Sequence, residues 1–335
     1  MKKIQWGVLS TAKIGRTQVI PAIQRSKNGE VAAIASRGGE KAREVAKSLN
    51  IPTAYDSYEA LLEDQTIDAV YIPLPNSLHK EWVIEAAKQG KHILCEKPAA
   101  LNSSELKEML LACEMYKVTF MEAFMYQFHP QHQLVKEWIQ AGEIGDVAFA
   151  RASFSFVLND GSNIRMNSDL GGGSLYDIGC YTIHSLRHVL DEEPTNVYAS
   201  AKLHPELNVD TTVAGVLNFA SGIRASFDCS FASIPRNEYE IIGSKGKIEV
   251  KGAYRPDQNE DGNGSVRLIK DNNEVIERSI EGDQYKLQVE HFADCLLENK
   301  QPSYTIENMI HHTTVMDSCY ESIDTGKPVA VHYSE

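Results

Sequence analysis

Short apolar runs alternate with amphipathic stretches from residue 4 to residue 122 of the chain. Nearly continuous apolar runs are typical of strands buried on both faces, and the stretches between them have helical spacing. The predicted strands are residues 4–9, 31–35, 69–72, 92–95 and 119–122. The predicted helices are a segment ending near residue 25 and residues 40–49, 58–63, 79–89 and 103–116. This order predicts a doubly wound α/β fold with a parallel sheet, which binds ligands at the carboxyl ends of its strands.

After residue 123 apolar and polar positions alternate, and short polar turns such as Ala220-Ser221-Gly222 join the segments. A period of two indicates strands with one buried face, as in a meandering antiparallel sheet. The predicted strands are residues 147–156, 196–202, 212–218, 223–231, 238–243, 247–251 and 266–270. The predicted helices are residues 131–141, 174–190, 286–298 and 305–325. We therefore predict an α/β domain of residues 1–122 and an α+β domain of residues 123–335 with a large, mostly antiparallel, open-faced sheet.

The composition indicates the class of protein. Of the 335 residues, 42% are hydrophobic and 24% are charged, as in ordinary globular proteins. The net charge of -13 argues against nucleic acid or an anionic membrane as a partner. The six cysteines include no Cys-x-x-Cys pair, which is typical of free thiols in a reducing cytoplasm. No apolar run approaches the ~18 residues that span a bilayer. We expect a soluble cytoplasmic protein with a small-molecule substrate.

A turn of small residues follows the first predicted strand. Ser10, Ala12 and Gly15 stand where dinucleotide-binding proteins commonly have three glycines. Small side chains allow backbone N–H groups at a helix N-terminus to face a phosphate. Ser10, Thr11, Ala12 and Ile14 are therefore candidate cofactor-binding residues. A tight strand-to-helix turn without a ligand would give the same pattern.

The second predicted strand ends at Ser36 and Arg37, about 20 residues after the first turn. NAD-binding proteins place an acidic residue there, which accepts a hydrogen bond from the ribose 2′-hydroxyl. A serine and an arginine suit a 2′-phosphate instead. Arg37 could also stack on adenine or lie in solvent. The pattern favours NADP over NAD as the cofactor without excluding NAD.

Four segments, residues 71–79, 90–98, 121–124 and 171–181, resemble the Gfo/Idh/MocA family, which includes glucose–fructose oxidoreductase and inositol dehydrogenase. The second of these segments ends in Glu96-Lys97-Pro98, a signature that is specific for the family when it follows this strand pattern. The resemblance covers essentially the whole chain. It implies a Rossmann domain and a second domain whose open-faced sheet often forms an oligomer interface, so we expect a homodimer or homotetramer.

The resemblance also implies roles for individual residues. It makes Lys97 the catalytic lysine and places Glu96, with Lys97, near the nicotinamide ribose. It implies that the cofactor lies along Ile72, Pro73, Leu74, Asn76 and His79. It leads us to expect a cis peptide at Pro98, and we count Glu122 of the third segment among the candidate substrate-binding residues.

The last catalytic position varies within the family. Many polyol dehydrogenases have Asp followed four residues later by His, whereas here Asp177 is followed at that distance by Tyr181. This variant resembles the branch with glucose–fructose oxidoreductase, dimeric dihydrodiol dehydrogenase and D-xylose dehydrogenase. A lysine ammonium favours a phenolate, so Lys97 would lower the pKa of Tyr181. The implied activity is hydride transfer between nicotinamide and a sugar, polyol or cyclic vicinal diol, with Tyr181 as acid/base. Residues 126–130 lack an arginine that some of that branch carry, which leaves the substrate open.

Several of these candidates have other interpretations. Tyr181 could be a half-buried core residue. Asp177 is a candidate catalytic residue, but it follows Ser174 by three positions, the spacing of a capping box, so it could cap its own helix, face the substrate or do both. His184 and His188 are spaced like metal ligands but lack a third strong one, so we expect no metal. We count His184 and Arg165 as candidate substrate-binding residues.

The whole chain also has other interpretations. Some proteins on this scaffold bind the nucleotide without turning it over and act as regulators or sensors. Others use tightly held NAD in redox-assisted glycoside cleavage. The presence of both Lys97 and Tyr181 favours the dehydrogenase.

Overall fold

The structure, a computed structural model, describes residues 2–333. The chain forms two compact units. One combines the chain up to Met125 with Gln284–Ile310, and the other combines Tyr126–Asp283 with the chain from His311 onward. The sequence predicted a division between residues 122 and 123 and assigned all that follows to the second domain. The structure differs in adding Gln284–Ile310 to the first unit.

The first unit contains a six-stranded parallel sheet in the described part of the chain, with strand order β3-β2-β1-β4-β5-β6. The strands are β1 Ile4–Leu9, β2 Gly29–Ala35, β3 Thr53–Tyr55, β4 Ala69–Ile72, β5 His92–Cys95 and β6 Phe120–Glu122. Val8 of β1 lies between Ile34 of β2 and Tyr71 of β4. The strand order reverses between β1 and β4, which is where such folds bind their ligands. The α/β prediction is confirmed, and only the short edge strand β3 was not predicted.

Helices of the first unit pack their apolar sides against this sheet. They are α1 Ile20–Arg25, α2 Gly39–Ser48, α3 Tyr58–Glu63, α4 His79–Lys88 and α5 Ser103–Met115. The π-helical segment Gly15–Val19 leads directly into α1. Helices α3 and α5 begin with side-chain caps. Ser57 accepts a hydrogen bond from the Ala60 N–H, and Asn102 accepts one from the Glu105 N–H.

The second unit contains a nine-stranded sheet within residues 2–333, in the order β14-β13-β12-β11-β7-β10-β9-β8-β15. The strands are β7 Val147–Val157, β8 Pro194–Leu203, β9 Asp210–Phe219, β10 Arg224–Ser230, β11 Ala232–Gly243, β12 Gly246–Lys251, β13 Gly264–Lys270, β14 Val275–Ile280 and β15 Val329–Ala330. Strands β7 and β10 pair in parallel, and the other described pairs are antiparallel. The predicted, mostly antiparallel sheet is confirmed. The edge strands β14 and β15 were not predicted, because their largely exposed residues give no clear alternation.

One face of this sheet is buried and the other is open. The buried side chains include Val213, Leu217, Ala225, Phe227 and Ile241. The remaining helices of the chain are α6 Pro130–Gln140, α7 Cys180–Leu190, α8 Gln284–Glu298 and α9 Ile306–Thr325. Helix α7 packs against β7 and β10 on the buried face. Among the described residues, no helix combines the length and apolar character needed to cross a membrane.

Helix α8 belongs to the first unit because of contacts that its place in the sequence does not reveal. The ring of Phe292 packs against Trp6 of β1, with the ring centroids 5.6 Å apart. Both side chains are fully buried. The side-chain amide of Asn28, the residue before β2, donates to the Asp294 carboxylate at 2.7 Å. Apolar burial and this hydrogen bond together explain the difference from the predicted domain boundary.

Candidate active site

The turn after β1 has an unusual backbone. Ser10 has φ 135°, in the region that favours glycine, and its Oγ accepts from the Ala12 N–H at 3.0 Å. Thr11 is buried. The π-helical segment Gly15–Val19 begins after Ile14 without a side-chain cap. The helix itself starts earlier, because Lys13 and Ile14 are already helical and the Arg16 N–H donates to the Ala12 carbonyl at 3.1 Å. The helix N-terminus therefore directly follows the Ser10 turn, an arrangement that suits a dinucleotide phosphate.

The segment after β2 lies at the same edge of the sheet. The Ser36 hydroxyl is buried and donates to the Gly38 carbonyl at 2.5 Å, while Arg37 is exposed. The Tyr58 hydroxyl hydrogen-bonds with the side chains of Ser10 and Arg37. Burial raises the pKa of Tyr58, and the Arg37 charge and these two hydrogen bonds offset part of that effect. Tyr58 thus links the turns after β1 and β2, a role that sequence reasoning missed.

The end of β4 and the loop after it carry five predicted cofactor-binding residues: Ile72, Pro73, Leu74, Asn76 and His79. His79 is fully buried, and its Nε2 lies 2.9 Å from the Leu74 carbonyl oxygen. Its Nδ1 lies 2.9 Å from the Pro98 carbonyl oxygen. Burial lowers the pKa of His79, partly offset by these backbone carbonyls. The ring nitrogens of His79 thus face backbone carbonyls, and a place for His79 along the cofactor stays a prediction of the resemblance.

Lys97 lies in the loop after β5, and its neighbours are held by the end of β4. The Lys97–Pro98 peptide is cis, as expected. The Glu96 N–H donates to the Ile72 carbonyl at 3.1 Å. The hydroxyl of the buried Tyr71 donates to the Glu96 carboxylate at 2.6 Å. Tyr71 thus holds the residue before Lys97. Sequence reasoning missed it, although a tyrosine inside the aliphatic strand β4 was a signal.

Glu122, the last residue of β6, lies below the loop that follows Pro98. It is only 1% exposed. Its Oε1 accepts from the Ala99 N–H at 2.7 Å, and its Oε2 accepts from the Tyr304 hydroxyl at 3.2 Å. Both oxygens hold protein groups, so the geometry is that of a support for the loop. The sequence prediction had placed Glu122 at the substrate.

In the second unit the structure brings Arg165 and Asp177 together. The Arg165 Nε–H donates to Asp177 Oδ2 at 2.6 Å. Arg165 lies in a single 3-10 turn, which begins with Asn163 Oδ1 accepting from the Arg165 N–H at 3.1 Å. A Cβ at Gly172 would lie 2.5 Å from the Arg165 carbonyl oxygen. The glycine therefore lets the chain pass close behind Arg165.

The helical segment that contains Asp177 is capped by Asp210 of β9. Asp210 Oδ2 accepts from the Ser174 hydroxyl and from the Leu175 N–H, both at 2.7 Å. Burial raises the pKa of Asp210, and these hydrogen bonds offset part of that effect. The capping role that the spacing from Ser174 indicated for Asp177 is thus filled by Asp210, while Asp177 pairs with Arg165.

Tyr181 on α7 lies in an aromatic cluster. Its ring centroid is 5.8 Å from that of Tyr126 and 5.5 Å from those of Phe154 and Tyr254. Tyr181 is 6% exposed. The Tyr254 hydroxyl shares a hydrogen bond with Ser185 Oγ at 2.9 Å. The packing holds the Tyr181 ring in one orientation and leaves a small part of it exposed.

His184 is also buried. Its Nδ1 lies 2.5 Å from the hydroxyl of the buried Tyr126, and its ring contacts those of His188 and His312. Burial, and then the neighbouring charges, lower the pKa of His184 well below 6.5. The structure thus places His184 in a buried histidine cluster, where the sequence prediction had it lining the substrate pocket. In the described chain no His, Cys, Asp and Glu side chains form a metal-binding group.

The similarity to known proteins extends over both units. Residues 4–124 match the family model of the oxidoreductase family, NAD-binding Rossmann fold, and residues 132–249 match the GFO/IDH/MocA C-terminal domain. The chain is 41% identical to D-xylose 1-dehydrogenase (NADP(+)) 2 of Haloferax volcanii, over 97% of this chain and 99% of that protein. It is 31% identical to trans-1,2-dihydrobenzene-1,2-diol dehydrogenase of Xenopus laevis, with the same coverage of 97% and 99%.

Solved structures agree with this relationship. A 3-ketoreductase from Actinomadura kijaniata, in complex with NADP and TDP-benzene, has a TM-score of 0.91 and 28% identity over 96% of this chain and 98% of that chain. The same reductase has been solved with a tyrosine replaced and with a lysine replaced. Full-length similarity at 41% identity, together with matches to both family models, shows that this chain belongs to the Gfo/Idh/MocA family of NAD(P)-dependent oxidoreductases.

Proposed function

We propose that this protein is a dehydrogenase or reductase of a sugar, a polyol or a cyclic vicinal diol. The observation that carries the proposal is its full-length similarity to a D-xylose dehydrogenase and to a dihydrodiol dehydrogenase. The named substrates of these two relatives share a hydroxyl group beside a second hydroxyl group. The Arg165–Asp177 pair supports this class, because it offers hydrogen-bond donors and acceptors together.

We assign NADP as the preferred cofactor, with NAD as the alternative. The exposed Arg37 follows a buried serine at the end of β2, and this position carries no acidic side chain that would accept from a ribose 2′-hydroxyl. A guanidinium pairs well with a 2′-phosphate. Two relatives support the assignment, since one is named for NADP and the other was solved with it.

We assign proton transfer to Tyr181 and electrostatic assistance to Lys97. Oxidation of an alcohol removes a hydride from carbon and a proton from the oxygen on the same carbon, and bound NADP supplies the hydride acceptor. Tyr181 takes the hydroxyl proton, and the positive charge of Lys97 favours its phenolate. In the Actinomadura ketoreductase the replaced lysine and tyrosine are separated by the same number of residues as Lys97 and Tyr181, which supports this pair. Asp177, oriented by Arg165, is the third residue of this proposed catalytic group and binds a substrate hydroxyl.

A coupled test separates the activity from the mechanism. Reduction of NADP and of NAD is followed by absorbance with D-xylose, D-glucose, myo-inositol and trans-cyclohexane-1,2-diol. We expect turnover with NADP, and a loss of about 100-fold or more in kcat for Lys97→Met and for Tyr181→Phe. Lys88→Met and Tyr333→Phe are matched controls, because Lys88 pairs with Glu85 and the Tyr333 hydroxyl donates to Pro194. Nucleotide binding without any turnover would indicate a sensor, and full turnover in both site variants would overturn the mechanism.

We also propose that the protein forms a homodimer or homotetramer through the open face of the nine-stranded sheet. Tyr198 and Val216 lie side by side there and are 41% and 38% exposed, and Phe149 is 36% exposed. Farther along the same face Arg151 pairs with Glu240 at 3.0 Å. An exposed apolar area beside ordered ion pairs is typical of a surface that a partner covers.

A further inference from the structure

The loop from Glu96 to Ala99, here called the Lys97 loop, is held on the C-terminal side of Lys97 by two buried side chains. His79 holds the Pro98 carbonyl at 2.9 Å, and Glu122 holds the Ala99 N–H at 2.7 Å. These contacts fall on the first and second residues after Lys97. The loop therefore has little freedom to shift relative to the sheet.

Of the two side chains, Glu122 is the one that carries a carboxylate into the protein interior. Its carboxylate is 1% exposed and accepts from the Ala99 N–H and from the Tyr304 hydroxyl. The ring of Tyr304 packs edge-on against Phe124, with the centroids 6.0 Å apart. A buried carboxylate needs such partners, because removal from water is costly. Tyr304 belongs to Gln284–Ile310, so this late segment helps to hold the Lys97 loop.

His79 makes the second contact. It is 0% exposed, and its two ring nitrogens lie 2.9 Å from the carbonyl oxygens of Leu74 and Pro98. One side chain thus connects the loop after β4 with the loop after β5. A neutral imidazole has one N–H and donates to one of these two carbonyls, and a change at His79 would remove its contacts with both loops.

We propose that Glu122, completed by Tyr304, and His79 are positioning residues that set the direction of Lys97. The proposal rests on the catalytic role of Lys97 proposed above. Catalysis depends on placement to a fraction of an ångström, and a displacement of about 1 Å can cost about 100-fold in rate. The buried contacts of the Lys97 loop supply that placement, although neither Glu122 nor His79 transfers a proton in the reaction.

The test uses the full-length protein with NADPH or NADP and the fastest substrate of the panel above. Glu122→Ala and His79→Ala are expected to lower kcat by about 10- to 100-fold. Glu122→Gln keeps an acceptor for the Ala99 N–H, so its kcat should fall less than that of Glu122→Ala. Tyr304→Phe should show the smallest loss of kcat. These two milder variants keep the test informative if an alanine variant fails to fold.

A second measurement reads Lys97 itself. Lysines are reductively methylated with 13C-formaldehyde, and the Lys97 signal is identified by its absence in Lys97→Met. Its chemical shift and width in the NADPH complex should change in Glu122→Ala and His79→Ala. His92→Ala is the control, because His92 lies at the other end of β5 and accepts from the Thr119 N–H at 2.9 Å. It should lower stability while leaving kcat and the Lys97 signal unchanged.

The outcomes separate the two proposals. Full turnover in Lys97→Met overturns the catalytic role of Lys97, while the NMR signal still reports on its position. If Lys97→Met is inactive but folded Glu122→Ala and His79→Ala keep both the wild-type kcat and the wild-type Lys97 signal, positioning by Glu122 and His79 is wrong.

Discussion

Arg165 donates its Nε–H to the carboxylate of Asp177 across 2.6 Å, and the Asp177 side chain is only 14% exposed. A carboxylate held by a guanidinium is suited to orient a substrate hydroxyl rather than to carry a proton away. We therefore expect Asp177→Asn to raise KM for the substrate and to lower kcat by less than about tenfold, well below the effect of removing the acid/base. Steady-state kinetics with NADP checks this.

The control for Asp177→Asn is Asp169→Asn, since Asp169 is an exposed acid shortly before it in the chain. That variant should have wild-type kcat and KM. A loss of kcat in Asp177→Asn as large as in Tyr181→Phe, with KM unchanged, would instead make Asp177 a proton carrier.

Replacement of Arg37 should change the cofactor preference. A hydrogen bond between charged groups contributes about 1.5–3 kcal/mol, which corresponds to about 10- to 100-fold in affinity. Arg37→Ala is therefore expected to lower kcat/KM for NADP by about that factor, while the value for NAD changes little. Arg25→Ala, another exposed arginine of the first unit, should affect both cofactors equally or not at all. An equal loss with NADP and NAD in Arg37→Ala would rule out recognition of the 2′-phosphate.

The buried histidines make stability depend on pH. Burial lowers the pKa of His132, His184 and His312 well below 6.5, so these side chains are neutral in the folded protein. Below the unfolded value of about 6.5, the unfolded chain takes up protons that the folded chain does not. The free energy of unfolding should therefore fall as the pH decreases through about 6.5, and the slope should approach about 1.4 kcal/mol per pH unit for each histidine below about pH 5.5.

Urea unfolding at several pH values measures this slope. His312→Gln removes one buried histidine and should reduce the slope below about pH 5.5 by about 1.4 kcal/mol per pH unit. His332→Gln, which replaces an exposed histidine, is the matched control for the substitution itself. Identical slopes for His312→Gln and the wild type would show that His312 does not stay neutral in the folded protein.

A charge on the open sheet face should weaken self-association. Val216 lies between Tyr198 of β8 and Ser226 of β10 on that face. Val216→Arg is expected to shift the protein toward monomer in analytical ultracentrifugation, because a buried unpaired charge costs several kcal/mol at an interface. Met115→Arg is the control, since Met115 is 73% exposed on α5 of the first unit. An unchanged mass for Val216→Arg would exclude this face as the interface.

Local patterns predicted nearly all strands and helices. The runs at residues 4–9, 69–72 and 92–95 were predicted with the bounds that the structure has, because buried parallel strands leave continuous apolar runs. The short edge strands Thr53–Tyr55 and Val275–Ile280 were missed. They are held by hydrogen bonds to a neighbouring strand, and their side chains form no continuous apolar run that would predict a strand.

Contacts between distant parts of the chain could not be predicted. Asp210 caps the segment of Asp177 from a different strand, and the Tyr304 hydroxyl reaches Glu122 from the far end of the chain. Glu122 became a substrate candidate because it lies in a family segment, and His184 because it follows Tyr181 on the same predicted helix. Their burial and hydrogen-bond partners depend on tertiary packing.

The return of Gln284–Ile310 to the first unit bears on how the chain folds during synthesis. A nascent chain that has emerged only as far as Met125 contains every strand of the parallel sheet but lacks Phe292, the cover of Trp6. The first unit therefore cannot complete its core until most of the chain has left the ribosome, in contrast to domains that fold in order from the N-terminus. A late truncation that removes α8 would damage the earliest-made part of the protein.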